Sequence, residues 1–535
     1  MASFGGSLNI GTSAVHAAQR GLDITGQNIA NSATPGYTRQ RVELESIGGP
    51  GIPAFWSRYD GVGEGVKITG IKRMNDEFLE ARARNSNANL GNVEEQAKTM
   101  AAIERTFGEP STTGLQSKLA DFWNAWGKVG NDPKSVAPKN LVYERAGEVA
   151  NHLNMMANSL ETQWEDTTAE LNANIIDINT MAGDVARLNE AIRQNNIARL
   201  PANELLDQRD LLIAKIATLT GATVKPAELD QNADFNSQAV DVYIGGNKLV
   251  DGTMYSKLTL VDPNNGAYPT GTTPGEVRVD WGAKFDTVNQ QVAGPPTATV
   301  NGVEGPVKVA VATGRVAGQL EGLNATIPDY MKDLDGIAQS FAETVNEQQV
   351  AGHWFTMNGD VVGTSGDGRA LFTNANVDPR GVDSVDPAIR AIAEAAVNRA
   401  GFTAANIQLG AGTSPSSLAT SKGDPKPLPP STETPSLDGD NALAMSRHIS
   451  KPDGADAQYR GLVVNLGTET QSVNRNLEVQ RNVVKQAEDA RDNVSGVSLN
   501  EEMTNLVRFQ HSFSAAAKFI GVIDQTLETL IHMTR

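Results

Sequence analysis

Apolar residues recur every seven positions at both ends of this 535-residue chain. Leu8, Val15, Leu22 and Ile29 form the N-terminal row, and Leu499, Leu506, Phe513, Ile520 and Leu527 the C-terminal one. A second row, Phe509, Ala516, Ile523 and Leu530, widens the C-terminal face. Such spacing draws an apolar seam along one side of an α-helix, and the seam needs a helical partner. Wide apolar faces at the extreme ends, where chains usually fray, describe part of an assembly before they describe an enzyme. The N-terminal helix, 8–29, is also rich in glycine: Gly11, Gly21 and Gly26 each weaken a helix by about 1 kcal/mol relative to alanine. A lone helix of this quality is marginal in water. It is expected to be mobile in a free monomer and ordered in an assembly. Packing among several chains would bury more of these faces than an end-to-end pair within one chain.

Between the ends the helical period returns three times. Leu79, Ser86, Val93, Met100 and Phe107 are seven apart, with Ala83, Leu90 and Ala97 beside them. Leu153, Leu160, Thr167, Asn174, Met181 and Leu188 form a longer row, beside Ala157, Trp164, Leu171, Ile178, Val185 and Ile192. Its polar members Thr167 and Asn174 are the kind of seam residue that fixes register at some loss of stability. A shorter helix opens at Asn203 and runs to about Leu219. Further helices are expected over 316–350 and from Ala442 onward, with a break at Ser495-Gly496 before the terminal helix.

The period changes at Gly221. Ala239–Ile244, Asn247–Val250, Leu258–Val261, Glu276–Trp281 and Val307–Val311 read as strands between turns, with a hairpin at Gly245-Gly246. Residues 221–313 are therefore a small β unit. Residues 361–440 carry one short helix candidate, 388–399, and a Gly/Pro/Ser/Thr-rich stretch, 410–439, that reads as a linker. The reading is mainly α with an inserted β unit, in four parts. Residues 1–45 with 496–535 are the terminal-helix unit. A long-helix bundle takes 46–220, 314–360 and 441–495. Residues 221–313 are the β-rich outer domain, and 361–440 an irregular insertion.

Composition narrows function by exclusion. A net charge of −18 argues against a nucleic-acid partner, which calls for a basic stripe. There is no cysteine, so disulfides, thiolate nucleophiles and thiolate metal sites drop out together. The first basic residue is Arg20, so a cleaved signal peptide is not expected. No apolar run has the length of a membrane span, so no membrane insertion is expected. The six histidines lack metal-site spacing, and the glycines of 60–65 precede a strand where a phosphate loop would follow one. Asp207 and Asp210 flank Arg209 and read as a helix-borne ion-pair network. No catalytic, cofactor or metal site is expected.

Two stretches carry a resemblance. Residues 28–39, Asn-Ile-Ala-Asn-Ser-Ala-Thr-Pro-Gly-Tyr-Thr-Arg, resemble the N-terminal signature of bacterial flagellar rod, hook and junction proteins. Residues 496–510, GVSLNEEMTNLVRFQ, look like its C-terminal counterpart. Asn203–Leu212, NELLDQRDLL, and Gly318–Leu323, GQLEGL, are similar to segments of the hook-associated protein 1 family within that group.

The resemblance implies a nested, flagellin-like fold: a terminal-helix coiled coil, then a long-helix bundle, then the β domain outermost. It implies a ring of self-associated subunits between hook and filament, touching hook protein and the second hook–filament junction protein. It implies passage through a flagellar type III export apparatus and a cytoplasmic chaperone holding the C-terminal helix, for which Leu506, Phe513 and Ile520 are the candidate surface. Asn28, Asn31, Pro35, Gly36 and Tyr37 carry the motif, with Pro35-Gly36 a candidate hinge. Another axial protein (hook protein, second junction protein or flagellin) remains the near alternative. An adhesin, or a wall-active enzyme housed in residues 221–440, is the distant one.

Overall fold

The chain ends meet in one molecule. The computed structural model describes residues 2–48, 63, 65–227, 238–269, 275–288, 291–294, 297–300, 303–358, 361–374, 401–410, 413–423 and 437–533. Helix α1 (Ala2–Ala30) lies antiparallel to the terminal helix α10 (Leu499–Met533). The end-to-end pair within one chain is the arrangement seen: α10 covers one face of α1. A two-stranded antiparallel hairpin follows, β1 (Gln40–Ile47) with β2 (Gly65–Arg73). It crosses the expected boundary at 45 and lies along α1, where the Val66 amide donates to Ser13 Oγ at 3.2 Å.

The body is a helical frame. Its spine is α4 (Val136–Ile197), 62 residues in one helix, or about 93 Å at 1.5 Å per residue. The periodic row found from Leu153 is therefore only its second part. Helix α3 (Leu115–Asn131) is missing from the elements expected of the sequence although its pattern is there: Leu115, Phe122 and Val129 are seven apart, with Leu119 and Trp126 beside them. Phe122, Trp123 and Trp126 are buried, and Phe122 and Trp123 meet Phe341 edge-on with ring centroids 5.1 and 5.7 Å apart. Helix α2 (Glu77–Phe107) starts where the Asp76 carboxylate caps the amides of Phe78 and Leu79. It pairs with α9 (Ala455–Ser495), which follows the short helix α8 (Asp440–Ser446). Helix α5 (Asn203–Thr220) ends at Gly221, whose positive φ of 69° suits glycine.

The helix expected over 316–350 is α6 (Arg315–Glu321) and α7 (Ile327–Val350), joined by one π-helical turn, Gly322–Thr326. The Leu323 carbonyl in that turn accepts from the Trp164 indole at 3.0 Å, which gives the irregular turn a partner outside its own helix.

The outer sheet has six antiparallel strands in chain order: β3 (Thr223–Pro226), β4 (Val240–Ile244), β5 (Asn247–Asp251), β6 (Met254–Val261), β7 (Arg278–Asp286) and β8 (Val292–Ala293). Val307–Val311 is not a strand; it holds the sheet by a bridge from Lys308 to Asp280 and by Val309 N to Val279 O at 2.8 Å. β9 (Thr297–Val300) and β10 (Val303–Pro306) make a separate hairpin. A further hairpin, β11 (His353–Asn358) with β12 (Val361–Asp367), straddles the expected boundary at 360. β13 (Phe372–Asn374) and β14 (Ile407–Leu409) pair beyond it, so 361–440 is less irregular than expected. The helix expected at 388–399, and all but two residues of the glycine segment 60–65, lie outside the described residues.

Asparagine amides bolt these non-helical segments to the frame. A carboxamide offers one donor and one acceptor edge, as a peptide does. Asn179 accepts from Leu258 N at 2.7 Å and donates to Leu258 O at 2.9 Å. Asn324, in the π turn, brackets Val277 in the same way at 2.9 and 2.8 Å. Asn346 brackets Phe372, both bonds being 2.9 Å. None of these pairs was signalled by a hydrophobic period.

Ala404, ahead of β14, is tied to the frame through its backbone. Its carbonyl accepts from Asn154 and its amide donates to Asp335 Oδ1 at 2.7 Å. Burial, with Glu161 nearby, pushes the Asp335 carboxyl up to about 6. The folded state therefore binds this proton more tightly than the unfolded one, so stability falls as pH rises from about 4 to about 6 and is level above that. Asp335→Asn keeps an acceptor for Ala404 and removes the charge. The variant is expected to exceed the native chain in stability at pH 7 by about 1–2 kcal/mol, with the gap closing toward about pH 4. Denaturant unfolding across that range measures it, and a gap independent of pH would contradict it.

Candidate functional site: the joint of the paired ends

The packing face of α1 is made by its glycines. A β-carbon at Gly21 would sit 2.5 Å from the Phe509 ring, and one at Gly11 2.7 Å from Ile520. The residues that weaken the isolated helix thus let α10 approach it closely. Gly11, Ala17, Ala18, Gly21, Ile24 and Thr25 are buried. Of the expected N-terminal row, Val15, Leu22 and Ile29 are half-buried and Leu8 is exposed. On α10 the second row lies deepest: Ala516 and Ile523 are buried and Phe509 is half-buried, but Leu530 is exposed. Leu506, Ile520 and Leu527 are half-buried, whereas Leu499 and Phe513 are exposed. Exposed too are Met503, Val507, Phe519, Val522 and Ile531, at 43–62%. The pair covers one seam and leaves a second apolar face open.

A buried carboxylate closes the pair. Glu502 is 2% exposed. Its Oε1 accepts from Arg39 Nε at 2.8 Å and its Oε2 from Asn28 Nδ2 at 3.1 Å. Arg39 also reaches Glu501 at 2.7 Å. Asn28 brackets Gln40, donating to its carbonyl at 2.9 Å and accepting from its amide at 3.0 Å. Tyr37 donates its hydroxyl to Asn28 Oδ1 at 2.8 Å. Burial, then Asp207, Glu204 and Glu502, push the Tyr37 phenol up to about 12, so it stays a donor. Asn31 holds the helix end, donating to Gln27 O at 3.0 Å and accepting from the Thr34 hydroxyl at 3.2 Å. Pro35 is exposed, and Gly36, at φ 79°, fits against Leu211 of α5.

The same turn sits on the head of α5. Asp207 Oδ2 accepts from the Thr38 amide at 3.2 Å. Asn203 donates to Gln40 Oε1 at 3.1 Å and to Ile71 O at 3.3 Å. Arg73, from β2, lies 2.8 Å from both Asp207 and Asp210. The ion-pair network expected within the helix is corrected: besides Arg209, Asp210 shares a cation from another element. Burial raises the Asp207 carboxyl even against Arg73. Beside these contacts is a cavity of about 680 Å³ whose walls include Thr34, Arg73, Asn75, Ala214, Arg491 and Ser498.

Three of the motif stretches, 28–39, 203–212 and 496–510, converge here. Periodicity missed Arg39, Gln40, Arg73, Asn203 and Glu502. Arg39, Gln40, Asn203 and Glu502 were signalled only by their place in or beside those stretches, and Arg73, at the end of β2, by nothing. Among the described residues no cluster of three or more His, Asp or Glu has the geometry of a metal site, and no helix is long and apolar enough to cross a membrane. The arrangement suits holding and stacking.

Comparison with known proteins points the same way. The family model described as the flagellar hook-associated protein FlgK helical domain matches residues 100–365. A flagella basal body rod protein model matches 8–38, and a flagellar basal body rod FlgEFG protein C-terminal model matches 490–533. Flagellar hook-associated protein 1 of Bacillus subtilis is 27% identical over 541 residues, covering 97% of this chain and 96% of that one. The proteins of the same description in Salmonella typhimurium and Escherichia coli are each 23% identical, covering 98% of this chain and 99% of theirs. The solved structure of the flagellar hook junction protein FlgK from Burkholderia pseudomallei superposes with a TM-score of 0.56 at 15% identity. It covers 78% of this chain and 100% of that one, a likeness of fold.

Gly21→Leu is expected to part α1 from α10 without unfolding the body. Amide exchange should then speed up over 8–29 and 499–530 and stay unchanged in α4. Unchanged exchange at the ends would contradict the glycine contact.

Proposed function

The chain belongs to the flagellar hook-associated protein 1 family, and from that premise we propose that it acts as a structural subunit of the hook–filament junction, without catalysis. The observation that carries the mechanism is the half-covered terminal pair. Glu502, Arg39 and Asn28 hold α1 and α10 together, while Phe519, Val522 and their neighbours stay in water. Burying each such side chain is worth about 1.5–3 kcal/mol once a neighbour covers it. Copies of this chain arranged in a ring supply that cover for each other, and hook protein and the second junction protein supply it along the axis. Residues 1–45 with 496–535 then line the inner tube, the long-helix frame forms the wall, and residues 221–313 project outward.

The export steps follow the family reading. A chain without cysteine cannot cross-link in transit through a type III apparatus. A cytoplasmic chaperone on Leu506, Phe513 and Ile520 would compete with α1, because Leu506 and Ile520 are partly covered once the pair closes. It therefore acts before the ends meet. In this reading the finished protein lies outside the cell, in the flagellum.

The test is a deletion strain complemented in trans. Loss of the chain is expected to leave hooks without filaments and flagellin monomers in the medium. Val522→Asp would bury an unpartnered carboxylate between subunits, and is expected to keep the α1–α10 pair while failing to restore filaments. Filaments of normal number on the deletion strain, or normal swimming with Val522→Asp, would contradict the proposal.

A further inference from the structure

We infer that the helical frame carries both halves of a head-to-tail contact between copies of this chain, the outer face of α4 on one copy meeting the outer face of α9 on the next. This rests on the junction reading and names the surfaces of the body that touch. Within one chain α2 stands between the two helices. Its Thr99 carbonyl accepts from Gln163 of α4 at 3.1 Å, and its Ser86 carbonyl from Gln480 of α9 at 3.2 Å. On the other side stand the π turn and α7: Leu323 accepts from Trp164 of α4, and Tyr330 donates to Glu469 of α9 at 2.7 Å. The outer faces of α4 and α9 therefore point away from each other. Two different faces on opposite sides of one chain make a heterologous contact, the kind that builds rings.

The two faces match in charge. Met155, Thr162, Asp166, Ala169, Ala173 and Ile176 form one exposed row along α4. Val464, Thr468, Gln471, Arg475, Val479 and Asn482 form an exposed row along α9. Each row carries a single charge, Asp166 on the first and Arg475 on the second, and neither is in an ion pair with another described residue. Their surroundings agree in sign. Residues 158–170 hold four carboxylates and no basic residue, whereas residues 471–485 hold three basic residues and one acidic.

The faces also match in height. Both helices run antiparallel to α2: from Phe107 to Ser86 it meets Tyr459 and then Gln480 of α9, and from Thr99 to Lys98 it meets Gln163 and then Glu170 of α4. Gln163 and Val473 both lie beside Thr99. Asp166 and Arg475 come shortly after them and stand within about half a helical turn of the same height. Eleven residues earlier, three turns back on the same face, are Met155 and Val464. Four residues beyond Arg475, Val479 falls between the levels of Ala169 and Ala173, whose small side chains leave it room. Neighbours set side by side thus seat Val464 on Met155, Arg475 on Asp166 and Val479 between the alanines.

Because the chain has no cysteine, Thr162→Cys and Gln471→Cys, each four residues before a charge of the pair, can be introduced cleanly into the full-length chain in the deletion strain. Mild oxidation of assembled flagella should join the double variant into a ladder of covalent multimers and leave each single variant uncrosslinked. In the same strain Asp166→Arg or Arg475→Asp sets like charges across every contact. Each should lower the share of hooks bearing filaments about tenfold, with export of the chain unchanged, and the double reversal should restore it. Cross-linking by either single variant would overturn the inference, since like faces would then meet. So would a double cysteine variant that assembles without a ladder, or a double reversal as defective as either single one. Normal filaments with the single reversals would refute the contact and leave the junction reading, which the deletion tests, intact.

Discussion

Glu502 sets the constraint on which the rest of this molecule depends. A carboxylate at 2% exposure is costly unless it is paired, and its partners, Arg39 and Asn28, come from the other end of the chain. Neither end reaches its final structure alone. The contact links residues more than 460 positions apart in sequence, so it ties the two ends of the chain directly to each other. Glycine notches in α1 then set the register, with Gly21 admitting Phe509 and Gly11 admitting Ile520.

Satisfying that constraint uses one face of each helix and leaves another. The pair therefore has two kinds of apolar surface: a seam closed within the chain and a flank available to neighbours. The body repeats the logic at a larger scale. Helices give the frame its length, and asparagine brackets at Asn179, Asn324 and Asn346 fasten the sheet and the later strands to it. Those brackets lie in half-buried or buried surroundings, where a hydrogen bond is hard to exchange for water. The outer sheet and the later strands are thus fastened to the helical wall by polar contacts as well as by packing.

Much of this was legible in the sequence, for physical reasons. Long heptad rows mark helices whose partners run alongside them, so α1, α2, the second part of α4, α9 and α10 were visible. The α3 helix was missed although Leu115, Phe122 and Val129 repeat every seven residues, because that row is short beside those of the long helices. Hairpin β11–β12 was hidden because glycine interrupts β12. Val307–Val311 looked like a strand because its apolar residues do cover the sheet, but only one residue makes a ladder bridge. At the joint, Asn28 and Tyr37 were identified from the motif. Arg39 and Glu502 were not, because a charge buried by a contact across the whole chain leaves no periodic trace. The glycines of α1 were read as weaknesses because propensity sees one helix, whereas close approach belongs to two.

The central claim is that the terminal pair is complete within one chain and its open flank is completed by others. Hydroxyl-radical footprinting of the free chain and of the assembled junction tests it residue by residue. The account predicts that Ile523 is shielded in both states, while Met503, Phe519 and Ile531 react in the free chain and become shielded on assembly. Equal reactivity of those three in both states, or strong labelling of Ile523 in the free chain, would contradict it.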